Sequence, residues 1–176
     1  MPVTDVTKDL DALTMTITAE FDAGAERVWE MWSDPRQLER WWGPPTYPAT
    51  FVDHDLSPGG RAAYFMTSPE GKKYHGWWRI EEVEPPKRLR FLDGFDDEGN
   101  PNEEMPGPAS ATVTITEAEG VTTMSIESKF GSREGMEQVI EMGMEQGMVE
   151  ALGQIDALLA AGSSRSGSRK PPRQPK

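Results

Sequence analysis

Residues 110 to 130, SATVTITEAEGVTTMSIESKF, constrain the fold more than any other stretch of this chain. Ala111, Val113 and Ile115 alternate with polar residues. Ala118-Glu119-Gly120 then breaks the run, and Met124, Ile126 and Phe130 resume it. Alternation of period two marks a strand with one buried face, and so short a link makes its two strands antiparallel neighbours. The pattern recurs upstream. In ALTMTITAEF, Leu13, Met15, Ile17, Ala19 and Phe21 share one face. Further strands are expected over residues 47–55, 61–67, 73–83 and 87–95. They are punctuated by Ser57-Pro58-Gly59-Gly60, Pro69-Glu70-Gly71 and Glu84-Pro85-Pro86, and followed by the acidic loop DDEGNPNEEMPGP.

Between the first strand and the rest lie two short helices. In AGAERVWEMWSDP, Val28, Met31 and Trp32 recur at i, i+3 and i+4, with Asp22 a candidate N-cap and Asp34-Pro35 the stop. Pro35 suits the first position of a second helix, where Leu38, Trp41 and Trp42 repeat the spacing. Gly43 fits a left-handed C-terminal residue, and Pro44-Pro45 forbids continuation. Helices this short form no core of their own and must cover the sheet.

The chain then offers one helix of up to about thirty residues, the upper range for a globular helix, from Ser132 to Gly162. Met136, Ile140, Gly143, Gly147, Ala151, Ile155 and Leu158 make its apolar stripe, with Glu141, Glu145 and Asp156 opposite. Glycine inside a helix costs about 1 kcal/mol relative to alanine. Gly143 and Gly147 therefore mean either that the backbone packs closely on the sheet, which the glycines alone favour, or that space is left beneath the helix.

Composition sets the bounds. With 36% hydrophobic and 27% charged residues the chain reads as globular, and no apolar run is long enough to span a membrane. The start MPVTDVTKDLDAL lacks the features of a signal peptide. The absence of cysteine excludes disulfides, thiolate metal sites and cysteine nucleophiles. A cytoplasmic location is the expectation. Residues 163–176, SSRSGSRKPPRQPK, hold five bases and no acid, leaving 13 bases against 30 acids in the remainder. A body that acidic repels nucleic acid and anionic lipid, so neither is expected as a partner. The domain boundaries are set at 1–10 for a flexible N-terminus, 11–162 for the folded domain and 163–176 for a disordered basic tail.

ERWWGPP, DHDLSPGG, YHGWWRIEEVEPPKRLRF, DGF, KFGS and EMGMEQGMVEALGQIDALL, in that order over roughly residues 12–161, resemble the SRPBCC (START-like) superfamily. Within it the chain is most similar to the branch named for the activator of heat-shock protein 90 ATPase. The resemblance implies an α+β helix-grip fold: a curved antiparallel sheet of about seven strands, two short helices and a long C-terminal helix, enclosing a cavity. Superfamily relatives hold lipids, sterols, hormones or polyketides there, and a few act as cyclases. The namesake stimulates a chaperone ATPase through a further N-terminal domain, for which no counterpart is expected here.

Three functions follow: a module binding a small hydrophobic or amphipathic ligand, an interaction protein acting on a chaperone or other ATPase, and a polyketide cyclase- or aromatase-like enzyme. The first is the reading adopted. Its candidate cavity residues are Trp41, Trp42, Tyr64, His75, Trp77, Arg79, Phe91, Phe95, Met144 and Met148. Aromatics around a sheet–helix cavity suit an apolar ligand, although each alone also suits core filling. Arg79 suits either a ligand carboxylate or an exposed ion pair, and the methionines suit an adaptable wall. Glu150 and Gln154 project near the glycine stripe. An enzyme would draw on His75, Tyr64, Asp93 or Glu150. The two histidines, His54 and His75, have no ligand spacing around them, and no nucleotide-binding or serine-hydrolase motif occurs, so no metal or cofactor is expected.

Overall fold

The structure, a computed structural model, describes residues 3–97, 100, 101, 109–141 and 143–160, without the side chains of 95–97, 100, 101, 109 and 144. The expected basic tail and most of the acidic loop lie outside the described residues. In chain order the elements are β1 (Val3–Asp9), β2 (Thr14–Phe21), α1 (Ala25–Ser33), α2 (Pro35–Trp41), β3 (Ala49–His54), β4 (Arg61–Thr67), β5 (Lys73–Glu84) and β6 (Arg88–Asp97). They continue with β7 (Asn100–Pro101), β8 (Ala109–Ala118), β9 (Val121–Lys129), α3 (Arg133–Glu141) and α4 (Met144–Gly153), and residues 155–160 form a last helical segment. One curved antiparallel sheet runs β1-β2-β9-β8-β6-β5-β4-β3, with β7 paired to β6.

The hairpin that opened the sequence reading pairs as expected, Val113 opposite Ile126 and Ile115 opposite Met124. Their shared face is buried with Met15, Ile17 and Phe21 of β2 and Leu89 and Phe91 of β6. That face receives α1 and α2. Val28, Met31, Trp32, Leu38 and Trp41 are all fully buried against it. Asp34 ends α1 and caps α2, its carboxylate accepting from the Arg36 N–H at 3.0 Å and from the Gln37 side chain at 3.0 Å. The Gln37 bond is the main reason its carboxyl sits below the usual carboxylate range.

Four expectations need correction. Residues 3–9 form an edge strand rather than a flexible start. They need little apolar alternation because main-chain pairing to the free edge of β2 holds them, with only Val3 and Val6 half-buried. Asp22 is not the cap of α1. Gly24 occupies that position, and the Ala25 N–H instead donates to Glu117 Oε1 on β8 at 2.7 Å. The C-terminal helix is not continuous: Gly143 takes φ of 90°, a left-handed geometry that ends α3 and starts α4. Finally, Gly147 does not mark close packing. A Cβ built there meets no described atom within 4 Å, as at the exposed Gly143 and Gly153, so the backbone is not pressed on the sheet at this point.

Alternation along β4, β5 and β6 decides what faces the helices. Tyr64, Trp78 and Phe91 turn inward and are fully buried; Arg79 is exposed on the outer face. Gly76 pairs with Tyr64 across the strands, and a Cβ there would lie 2.3 Å from Tyr64 Cζ and 2.4 Å from its hydroxyl oxygen. The tyrosine ring needs that space. Gly76→Ala should therefore displace Tyr64 from its stack on Phe51, 4.9 Å away, and destabilise the fold by about 1–3 kcal/mol in urea denaturation.

Candidate functional site

Two neighbouring indoles in ERWWGPP end up on the enclosed side. Trp41 is fully buried, its N–H donating to the Met31 carbonyl at 2.8 Å, which ties α2 to α1. Trp42, at 6% exposure, meets Trp78 edge-on at 4.9 Å and Tyr64 at 6.2 Å. Trp78 stacks on Phe91 at 4.2 Å. Gly43, with φ of 122°, lets the chain turn away, and Gln154 closes the turn. Its amide donates to the Gly43 carbonyl at 2.8 Å and the Trp41 carbonyl at 3.3 Å. The indole pair is thus pinned between sheet and C-terminal helices.

Within this aromatic group sits one carboxyl. Asp93 lies opposite Trp78 on the adjoining strand, and its Oδ1 accepts from the Tyr64 hydroxyl at 3.3 Å. Burial pushes the Asp93 carboxyl up from 3.8 to about 7, against smaller opposing effects of the Tyr64 hydroxyl and the Trp78 indole N–H. That indole N–H comes near the carboxyl without reaching hydrogen-bond geometry, and it and the Trp42 N–H are buried without an acceptor. Asp93 is deeply surrounded by protein yet remains half-exposed. Met66, Ile140 and Met148 also pack on the core while staying partly accessible, and Gly147 has its open side nearby in sequence on α4.

Of the ten residues singled out in the sequence, Trp41, Trp42, Tyr64 and Phe91 meet in this cluster, and Met148 is partly buried on α4. The side chains of Phe95 and Met144 lie outside the described set. His75, Trp77 and Arg79 are on the other face of β5, because Trp78 takes the inward position and alternation sends its neighbours out. Trp77 has its own task there. Its ring covers Gly94, where a Cβ would lie 2.5 Å from it. His75 packs on Phe65 at 5.8 Å. Among the ionisable residues considered for catalysis, Tyr64 and Asp93 come together, whereas Glu150 is exposed and bonded to Gln146. His54 Nε2 donates to the Trp32 carbonyl at 3.0 Å, the tautomer that this acceptor requires. No group of three potential metal ligands occurs among the described residues. The DGF stretch held the missed information: a lone carboxylate at an inward strand position, followed by a glycine that makes room on the outer face.

This architecture, a curved antiparallel sheet closed by two short helices and a broken C-terminal helix, is that of the helix-grip proteins of the SRPBCC superfamily. The model of the family described as activator of Hsp90 ATPase homolog 1-like protein matches residues 22–160, and the chain belongs to that family. The crystal structure of protein Ms6760 from Mycobacterium smegmatis is 52% identical, covers 90% of this chain and 97% of its own, and superposes with a TM-score of 0.82. An Arthrobacter aurescens protein solved by NMR is 53% identical over 90% of this chain and 92% of its own, with a TM-score of 0.87. A Rhodobacter sphaeroides protein, at 23% identity and a TM-score of 0.76 over 90% of this chain and 97% of its own, shares the fold alone. Curated proteins return no match. No helix among the described residues is long and apolar enough to cross a membrane.

The raised Asp93 gives a signed pH effect. Its native form holds a proton that the unfolded chain has lost above 3.8, so its contribution is complete below that value and disappears as pH rises through about 7. Asp93→Asn keeps an acceptor for Tyr64 and removes the charge. In urea denaturation the variant should match the wild type near pH 4 and exceed it by about 2–4 kcal/mol near pH 8. Equal differences at both pH values would show that Asp93 is not held protonated.

Proposed function

We propose that this protein binds a small apolar or amphipathic molecule between the inward face of the sheet and the C-terminal helices. The observation that supports this is the unfilled side of α4. Gly147 has open space beside it where a helix stripe would normally be packed, and Asp93, Met66 and Met148 stay partly accessible around an otherwise buried aromatic core. A natural helix that gives up about 1 kcal/mol for glycine gains nothing from an empty space unless something enters it. The walls of the site are Trp42, Tyr64, Phe91, Met66 and Met148, with Asp93 as the polar group. Burial of about 200 Å² of ligand surface would supply roughly 5 kcal/mol before the costs of association. The family name carries a second association, with a chaperone ATPase, which belongs to the namesake.

The test uses Gly147 in two directions. Gly147→Ala should stabilise the protein by up to about 1 kcal/mol, since the methyl meets no described atom. Gly147→Phe should leave the protein folded and fill the space. Native mass spectrometry of purified protein, with extraction of any retained molecule and Trp fluorescence titration of an apolar panel, should show binding to wild type and Gly147→Ala, and its loss in Gly147→Phe. A wild type that is empty and unresponsive to the whole panel would overturn the ligand-binding reading and make the search for an ATPase partner the next step.

A further inference from the structure

We propose that the outer face of β4, β5 and β6, around Trp77 and the facing pair Arg61 and Arg79, is a docking surface for an acidic, extended segment of another protein. Its carboxylates take the two guanidinium groups, and an apolar side chain between them lies on the indole. This surface is on the opposite side of the sheet from the enclosed site and does not depend on it.

The two halves of the outer face differ. Across β2, β9 and β8 it carries Thr16, Thr18, Thr112, Thr114 and Ser125 around Glu127, the polar pattern of a solvated sheet face. Across β4, β5 and β6 it carries Phe65, His75, Trp77 and Leu92, all partly exposed. The buried faces of α1, α2 and α4 pack on the other side of the sheet, so these rings are left to solvent. The indole of Trp77 leans across Gly94, where a Cβ would lie 2.5 Å from it, and so lies along the sheet. The cations are a second, independent observation. With 30 acids to 18 bases, an arginine of this chain finds a carboxylate easily: further along β5 and β6, Arg88 pairs with Glu82 and Arg90 with Glu81. Arg61 and Arg79 form no ion pair, although they stand directly opposite each other across β4 and β5, a placement that costs stability for like charges. Asp53 and Asp55 come alongside from the end of β3, but Ser57 donates to Asp55 at 2.7 Å and Asp53 pairs with neither arginine. Lys73, at the far end of the same hairpin, lies 4.6 Å over the Phe65 ring and is likewise without a carboxylate. Two free guanidinium groups beside a ring ask for planar anions, which each can hold bidentately, and Trp and Arg are the residues on which interfaces concentrate their binding energy. The sheet wraps around the helices, so this is its convex side, without walls to enclose a small molecule. A nucleic acid would bring a charge with every nucleotide against a chain of net charge −12, whereas a peptide segment brings its carboxylates only where the arginines are.

A random peptide library displayed on phage is panned on the immobilised full-length protein, and the recovered peptides are synthesised with a fluorescent label and titrated by anisotropy. They should carry Asp or Glu on either side of an aromatic or aliphatic residue, and replacing those acids by Asn and Gln should abolish binding. Arg61→Gln and Arg79→Gln should each weaken binding about tenfold or more, the value of a hydrogen bond to a charged group. Trp77→Thr should weaken it as well; should that variant fail to fold, the arginine variants carry the test. Arg88→Gln, whose charge is already paired with Glu82, should change it by less than about threefold. A library that yields no peptide, peptides without acids, or peptides that bind Arg61→Gln/Arg79→Gln as tightly as wild type would each overturn the proposal. So would an oligothymidylate that binds the wild type more tightly than any recovered peptide and is lost in the double variant, since the surface would then serve nucleic acid. Urea denaturation of the free protein separates a structural role. Arg79→Gln relieves a facing like charge and should be at least as stable as wild type; a loss of stability that is the same at low and high salt would assign Arg79 to the fold and overturn the docking role.

Discussion

The contact between Trp42 and Trp78 is the interaction on which the rest of this structure depends. One indole comes from the end of a helix and the other from the middle of a strand, and they meet edge-on at 4.9 Å. Around that contact Trp32, Trp41, Tyr64, Phe51 and Phe91 gather with ring separations between 4.2 and 6.4 Å. Each offset or edge-on aromatic pair adds about 0.5–1.5 kcal/mol beyond the apolar area it buries. The two short helices are held by these indoles together with the fully buried Val28, Met31 and Leu38. They lie against the sheet because their indoles have nowhere better to go.

The C-terminal helices are held to the same assembly by polar contacts as well as by burial. The rings consolidate the part of the sheet under α1 and α2, and Ala151 and Leu152 of α4 with Ile155, Leu158 and Leu159 of the last helical segment are buried in the same core. Gln154 holds the turn after Trp42, Lys8 of β1 pairs with Glu145, and Arg27 of α1 donates to the Leu158 carbonyl at 3.0 Å. The left-handed Gly143 breaks the C-terminal helix between α3 and α4. Asp93 lies at the edge of the aromatic group, held by the Tyr64 hydroxyl and only partly accessible.

Most of the frame could be read from the residues. The hairpin of β8 and β9, the helix boundaries at Asp34-Pro35 and Gly43-Pro44, and the strand limits on either side of Ser57-Pro58-Gly59-Gly60 all rest on local chemistry, because turns, caps and alternation act over a few residues. The candidate site was legible only in part. Trp42, Tyr64 and Phe91 were found as aromatics, but Trp77 and Trp78 are adjacent, and composition alone does not say which of the two points inward. Choosing Trp77 carried His75 and Arg79 with it to the wrong face. Gly76 and Gly94 held the answer, since each is small to make room for a particular ring, Tyr64 on one face and Trp77 on the other.

The sequence by itself determined the antiparallel sheet, the two covering helices and the acidity of the body, since each follows from period, punctuation or charge within a short window. It also determined that cysteine chemistry has no part here. Only the tertiary structure decided that β1 completes the edge, that Glu117 caps α1 from across the sheet, and that Asp93 is drawn against the aromatic group and meets Tyr64. The partners are 5 to 16 positions apart across β1 and β2, 29 for Tyr64 and Asp93, and 92 for Ala25 and Glu117. At such separations partners are chosen by packing, and the pKa of a carboxyl is set by what packing leaves around it.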